Sequence, residues 1–276
     1  MNLIKQLFNF YLNSSVHVAL SVVSLSYITL KEFGVVTDYN VLFFVFFATI
    51  TGYNFVKFFG IAKWHYRSLA KWLKIIQIFS LFCFLFMCYF MMLLEIKVLL
   101  YLSVFAVITF LYAIPILPKR FYLDSNHNLR DISGLKVYII GLVWAGVTVV
   151  LPLMNNDIAV DADVIITTLQ RFVFVIALML PFEIRDLAFD NFKLATIPQK
   201  IGVKQTKIIG LLLMMLFLFL EFFKNEVVAV NFVVLTIVTL ITTGFIVFSK
   251  PSNSTYYSAF WVESIPIMWL LITVFR

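Results

Sequence analysis

The sequence predicts an all-α membrane bundle of about nine helices, and three observations lead there. The chain has 276 residues, 63% of them hydrophobic and 13% charged, with a mean hydropathy of +1.02. Such values exclude an ordinary soluble domain. The apolar residues come in runs of the roughly 20 residues that a helix needs to cross about 30 Å of hydrocarbon. Loops rich in Lys and Arg alternate with loops poor in them, as the topology of a multi-pass protein requires.

Taken in order, the expected spans are roughly 15–33, 39–60, 73–94, 96–117, 135–154, 163–184, 207–224, 227–248 and 256–275. Two pairs of spans meet with almost no loop, at 94–97 and at 224–227. With a cytoplasmic N-terminus, Lys5 lies inside, and so do Lys57, Lys63, Arg67, Lys71 and Lys74 after span two. Lys119, Arg120, Arg130 and Lys136 follow span four, and Arg185, Lys193, Lys200, Lys204 and Lys207 surround the end of span six. Lys250 completes the inner side, whereas Lys31, Lys97, Lys224 and Arg276 fall outside. Acids such as Asp157, Asp161 and Asp163 gather in the outer loops. A miscounted span would scramble this alternation.

The formal charge of +7 therefore reflects loop topology, and nucleic acid is not an expected partner. The inner loops are long and the outer ones short, which puts the chemistry on the inner face. Nothing marks a linker or a second soluble domain, so residues 1–276 read as one integral-membrane domain. The N-terminal stretch has no small-residue cleavage site, and no removable signal peptide is expected. The expected setting is a bacterial inner membrane. Cys83 and Cys88 lie in an apolar run without the partners of a zinc site or a disulfide, and His17, His65 and His127 are scattered.

One polar stretch stands out, Pro181-Phe-Glu-Ile-Arg-Asp-Leu-Ala-Phe-Asp190. On a helix, spacings of three and four put Glu183, Asp186 and Asp190 on one face. Such a cluster suits Mg²⁺, which takes carboxylate oxygens and keeps waters that a phosphate can replace. The plain alternative is a solvated helix end with Arg185 and Lys193 as neighbours. Charges are expensive near a bilayer and are usually functional there, which favours the site. Pro198 and Gly202 read as helix breakers that turn the chain into span seven.

Further polar groups collect on the same side. Tyr112-Ala-Ile-Pro115 leads to Lys119 and Arg120, a pair suited to a diphosphate, although topology alone also puts cations there. Asn54 ends span two, where its amide could meet a ligand or cap the helix, and Lys57 follows one turn later. Arg171 and Glu263 are intramembrane, and pairing between them is the natural expectation.

Asp186-x-x-x-Asp190 with Thr196-x-Pro198 and Gly202 resembles the second aspartate motif of the UbiA-type membrane prenyltransferases. Tyr112-x-x-Pro115 with Lys119-Arg120 resembles that family's basic loop after the fourth helix, and the likeness extends over essentially the whole chain. The resemblance implies a UbiA-like fold and transfer of a polyprenyl group from its diphosphate to an aromatic or lipid acceptor in the membrane. It implies Mg²⁺ held by Asp186 and Asp190 with Glu183 in support, and these two aspartates as the catalytic residues. Asn54, Lys57, Arg67, Tyr112, Lys119 and Arg120 would then bind substrate.

The first motif departs from the family. Aligned on Asn54, its acidic positions hold Phe55, Phe58 and Ala62, and Lys57 and Lys63 add positive charge. A catalytically inactive lipid-binding or scaffold protein on the same fold is the second function class. A transporter is weaker, because few charges lie within the spans. The sequence does not fix the acceptor, the prenyl chain length or the oligomeric state.

Overall fold

The first long helix of the bundle is α2 (Val16–Glu32), whose serines and threonines are buried rather than solvated. Ser24, Ser26 and Thr29 donate to the carbonyls four residues back, so each hydroxyl is satisfied within its own helix. In hydrocarbon this is how a polar helix face remains tolerable. The computed structural model describes residues 3–64, 71–113, 135–187, 196–226 and 228–275, with backbone alone for 59–64, 71, 112 and 113.

After α2 come α3 (Tyr39–Trp64), which packs on it, α4 (Lys71–Met91), which packs on α3, and α5 (Ile96–Ala113). Then come α6 (Leu135–Ala145), a π-turn at Gly146–Val150 and α7 (Leu151–Asn155), which together make one span. The chain continues through α8 (Ala162–Asp186) and α9 (Ile197–Phe219), which ends in a 3₁₀ turn at Leu220–Phe223. It finishes with α10 (Ala229–Phe248), a second π-turn at Tyr257–Val262 and α11 (Ile265–Val274). Among the described residues no strand occurs.

Among the described residues, seven helices are long and apolar enough to cross a membrane. An eighth span arises if α2 is joined to α1 (Leu3–Asn13), from which it is bent by 54°. The remaining expected span, 96–117, corresponds to α5, whose apolar part Ile96–Leu111 is shorter than a full crossing; it rises about 24 Å at 1.5 Å per residue. Lipid-facing positions carry the exposed apolar side chains, for example Phe82, Phe86, Leu212 and Met215.

Water drives no association between helices in lipid, so close packing must do it, and small residues permit the approach. Gly141 lets Phe172 and Ile176 of α8 press on α6, and Gly210 lets α9 meet Ile246 of α10 and Leu180 of α8. At Gly146 the fit is tighter. A Cβ there would stand 2.3 Å from Cζ of Phe105 and 2.8 Å from the Tyr101 hydroxyl. That glycine is the socket by which α5 docks on the π-turn.

Two expectations about local structure change. Pro198 does not break a helix. It occupies the first turn of α9, where a missing N–H costs nothing, and the Thr196 backbone N–H donates to Gln199 Oε1 at 2.9 Å. Span seven therefore begins ten residues earlier than expected, at 197 rather than 207. Gly202 does interrupt it, with φ 84° and ψ 160° inside the helix. Pairing of Arg171 with Glu263 is not found. Arg171 is fully buried, donates to Thr29 Oγ1 at 3.3 Å and stacks over Trp269 at 4.7 Å. Trp269 lies six residues beyond Glu263, about 9 Å along the helix axis. The register of α8 against α11 thus puts the two charges at different depths.

Candidate functional site

The bundle encloses a chamber of about 1560 Å³. Its walls come from α3, α4, α5, α6 and α8, with α1 and the second π-turn at one end. The long wall is apolar and aromatic, with Phe44, Phe84, Met87, Phe105, Phe110 and Trp144. Charged groups are confined to the end where α3 and α8 finish and where α6 and the last π-turn begin: Lys57, Lys136, Arg185, Asp186 and Glu263. An oily cavity with a charged mouth is built for a molecule with an apolar tail and a polar head.

The mouth follows from where charged residues sit on their helices. Asp186 and Arg185 end α8, one turn after Pro181. Arg185 Nε donates to Asp186 Oδ1 at 2.7 Å, and its Nη1 donates to Ser258 Oγ at 2.6 Å. The π-turn is what brings Ser258 to α8. A wider turn shifts the following side chains out of α-helical phase, and such turns recur at functional sites. Glu263 follows directly after it. Its N–H donates to Ser258 O at 3.1 Å, and its carbonyl accepts from Ser21 Oγ of α2.

α1 lies across this end. Asn9, Leu12 and Asn13 line the chamber. Tyr256 donates to Asn9 Oδ1 at 2.8 Å, and Phe8 packs edge-on to Phe260 at 5.2 Å. Leu3, Ile4 and Leu7 remain exposed on the other side. Apolar outside and hydrogen-bonded inside, this helix suits the bilayer interface. The sequence reading had no helix here.

Of the residues singled out from the sequence, Asp186 and Lys57 both line the chamber. Glu183 does not share their face. It is buried behind the wall, with Oε1 3.3 Å from Lys136 Nζ. Asn54 also differs from its expected role of facing a headgroup. It is 2% exposed and its amide is spent on the protein: Oδ1 accepts from Ser15 Oγ at 2.8 Å, and Nδ2 donates to Ser14 O at 3.0 Å and to Ser80 Oγ at 2.8 Å. Tyr112 lies in the last turn of α5. Its side chain and the residues Arg67, Lys119, Arg120 and Asp190 lie outside the described residues. Sequence reasoning missed Lys136 as a wall residue and misplaced Glu263. A Lys just before an apolar span and an acid inside one were the available signals.

No three metal-ligating groups come together among the described residues. Asp186 is the described carboxylate of its motif that reaches the chamber, and Arg185 already orients one of its oxygens. The opposite wall offers Phe55 and Lys57 where acids would be needed. Among the described residues, the donor set on the Asp186 side offers one carboxylate to an ion.

No family model and no curated protein sequence matches this chain. One solved structure does, from a study of digeranylgeranylglyceryl phosphate synthase in membranes. The TM-score is 0.58 at 15% identity, over 98% of this chain and 96% of that one. At this identity the likeness establishes the fold, a membrane helical bundle of the UbiA-like kind.

Proposed function

We propose that the protein binds a polyprenyl diphosphate in the chamber and transfers the prenyl group to a hydrophobic acceptor within the membrane. One observation carries this reading: among the described lining residues the charged groups stand at one end of a long aromatic cavity, and the rest of the wall is uncharged and mostly apolar. An isoprenoid tail fills the oily part, and its head meets the mouth. The shared fold with a prenyl-transferring synthase supports the assignment. On this reading the mouth faces the cytoplasm, and so does the N-terminus.

The chain's own residues would act as follows. Asp186, with Asp190, holds one Mg²⁺, which when bound neutralises charge on the diphosphate. Arg185 fixes the Asp186 carboxylate, and Lys136, Arg67, Lys119 and Arg120 supply positive charge for the leaving group. The aromatic wall keeps water from the allylic cation and presents ring faces that stabilise it.

A second reading is a non-catalytic lipid-binding protein. Two observations favour it: the first motif lacks its carboxylates, and Glu183 is engaged by Lys136. Purified protein separates the two. Geranylgeranyl diphosphate should stabilise it against heat more than geranylgeraniol does, and label from the diphosphate should then appear in a membrane lipid. Equal stabilisation by both would overturn diphosphate recognition. Binding without transfer would leave the second reading.

A further inference from the structure

Two charged groups at the mouth lack the close counter-ion that their neighbours have. Arg185 is joined to Asp186, and Lys136 to Glu183. Lys57 and Glu263 both line this end of the chamber, within electrostatic range of each other, but no ion pair or side-chain hydrogen bond connects them. Arg185 and the phenol of Tyr11 are the other titratable groups within electrostatic range of Glu263. Among the described residues no hydrogen-bond donor meets this carboxylate where it lines the cavity, an expensive arrangement unless a ligand completes it.

Lys57 is held with unusual care. Its Nζ donates to Ser15 Oγ at 3.0 Å, Ser15 donates to Asn54, and Asn54 donates to Ser80, which is anchored on Ile76 O at 2.7 Å. This relay ties α4, α3 and the bend between α1 and α2 to one ammonium. Ser15 itself sits at φ 64°, a left-handed conformation that a serine seldom adopts. Strain of this kind persists where surrounding structure enforces it and tends to collect at functional sites. The hydroxyl partner takes one N–H of the ammonium and brings no counter-charge, which leaves two N–H groups for the chamber.

We propose that Lys57 and Glu263 form the acceptor site, and that the acceptor carries a hydroxyl group that sits between them. This rests on the prenyl-transfer reading above. A hydroxyl is the group that satisfies both sides at once: its proton points to Glu263 and its lone pair accepts from Lys57. A cationic amine would be repelled by Lys57. In the reaction, the bond from prenyl C1 to the diphosphate oxygen breaks, and its electron pair leaves with the diphosphate. A lone pair of the acceptor oxygen forms the new C1–O bond. The hydroxyl proton passes to the Glu263 carboxylate and then leaves with the diphosphate. Ser15 and Asn54 are positioning residues, acting through Lys57.

The test uses the full chain in membranes of the cells that make it, with radiolabelled geranylgeranyl diphosphate as probe. Label should enter a lipid through a C–O bond. Glu263→Gln should slow transfer by roughly 100-fold or more, the usual scale for loss of a general base, while geranylgeranyl diphosphate binding by the purified variant stays within about twofold. Glu263→Asp should recover part of the rate, and the acid limb of the rate–pH profile should vanish in Glu263→Gln. Ser15→Ala should raise the acceptor KM more than it lowers kcat. Label attached through carbon, or a Glu263→Gln rate within about threefold of wild type, would overturn the acceptor pair and leave prenyl transfer standing. Failure of the wild type to bind geranylgeranyl diphosphate at all would overturn both.

Discussion

The bundle buries charge at both ends, and the two ends use it differently. At the end away from the mouth, Lys224 meets Glu32 and lies 2.9 Å from Glu221, while Gln170 donates to Glu221 at 3.0 Å and to Phe217 O at 3.2 Å. Deeper in, Arg171 rests on Trp269, which packs edge-on against Phe174 and Phe217 at 5.3 and 5.7 Å. These charges are in contact with partners and walled in by aromatic rings. At the mouth, Lys57 and Glu263 line open space with no oppositely charged partner in contact among the described residues, whereas Arg185 and Lys136 have theirs. A charge inside a membrane protein is thus not evidence of a site by itself. Contact seals it into structure, and separation across a cavity leaves it available to a ligand.

The largest effect that tests this contrast is at the sealed end. Lys224→Met leaves two carboxylates without their cation and should destabilise the protein by about 3–5 kcal/mol, the usual consequence of breaking a buried pair from one side. Thermal unfolding in detergent reads it, and geranylgeranyl diphosphate binding by the folded fraction should persist. The pH dependence has a fixed sign. Burial lowers the Lys224 pKa, but Glu32 and Glu221 together outweigh it, and the net shift is upward. The stabilisation is fully present below the ordinary value of 10.5 and is lost as pH climbs through the raised one. Lys224→Met should abolish that alkaline weakening.

At the mouth the balance reverses. Asp186→Asn should leave the melting temperature nearly unchanged and weaken geranylgeranyl diphosphate binding about tenfold, or about 1.4 kcal/mol. A large loss of stability with unaltered binding would assign Asp186 to the sealed class. The smallest effect is a coupling energy. Because Arg171 and Glu263 lie at different depths, the stability changes of Arg171→Met and Glu263→Gln should add to within about 0.5 kcal/mol. Coupling well above that would restore the pair that the sequence suggested.

Much of the architecture was legible because hydrocarbon imposes a length and charge marks the ends. The limits of α2, α3, α8 and the span from the second π-turn through α11 follow from those two rules. The polar run after Pro181 correctly marks the end of α8 that opens on the chamber. What sequence could not supply was register. Arg171 and Glu263 are both intramembrane charges, and only the packing of α8 on α11 reveals that Trp269 is Arg171's neighbour. Asn54 looked like a ligand-facing amide, because nothing in the spacing shows that Ser14, Ser15 and Ser80 converge on it. Pro198 reads as a breaker in the sequence because its position within a turn, not its identity, decides whether it starts or ends a helix. The π-turns at Gly146 and Tyr257 shift the phase of a helix without any compositional sign.

Photo-crosslinking with a benzophenone-tailed prenyl diphosphate tests the central claim most directly, since it reports where the tail lies. The account predicts labelled peptides from the chamber wall, around Phe84, Phe105 and Trp144, with labelling suppressed by excess geranylgeranyl diphosphate and reduced in Asp186→Asn. Labelling confined to lipid-facing positions such as Phe82, Leu212 and Met215, indifferent to competitor and to Asp186, would contradict it.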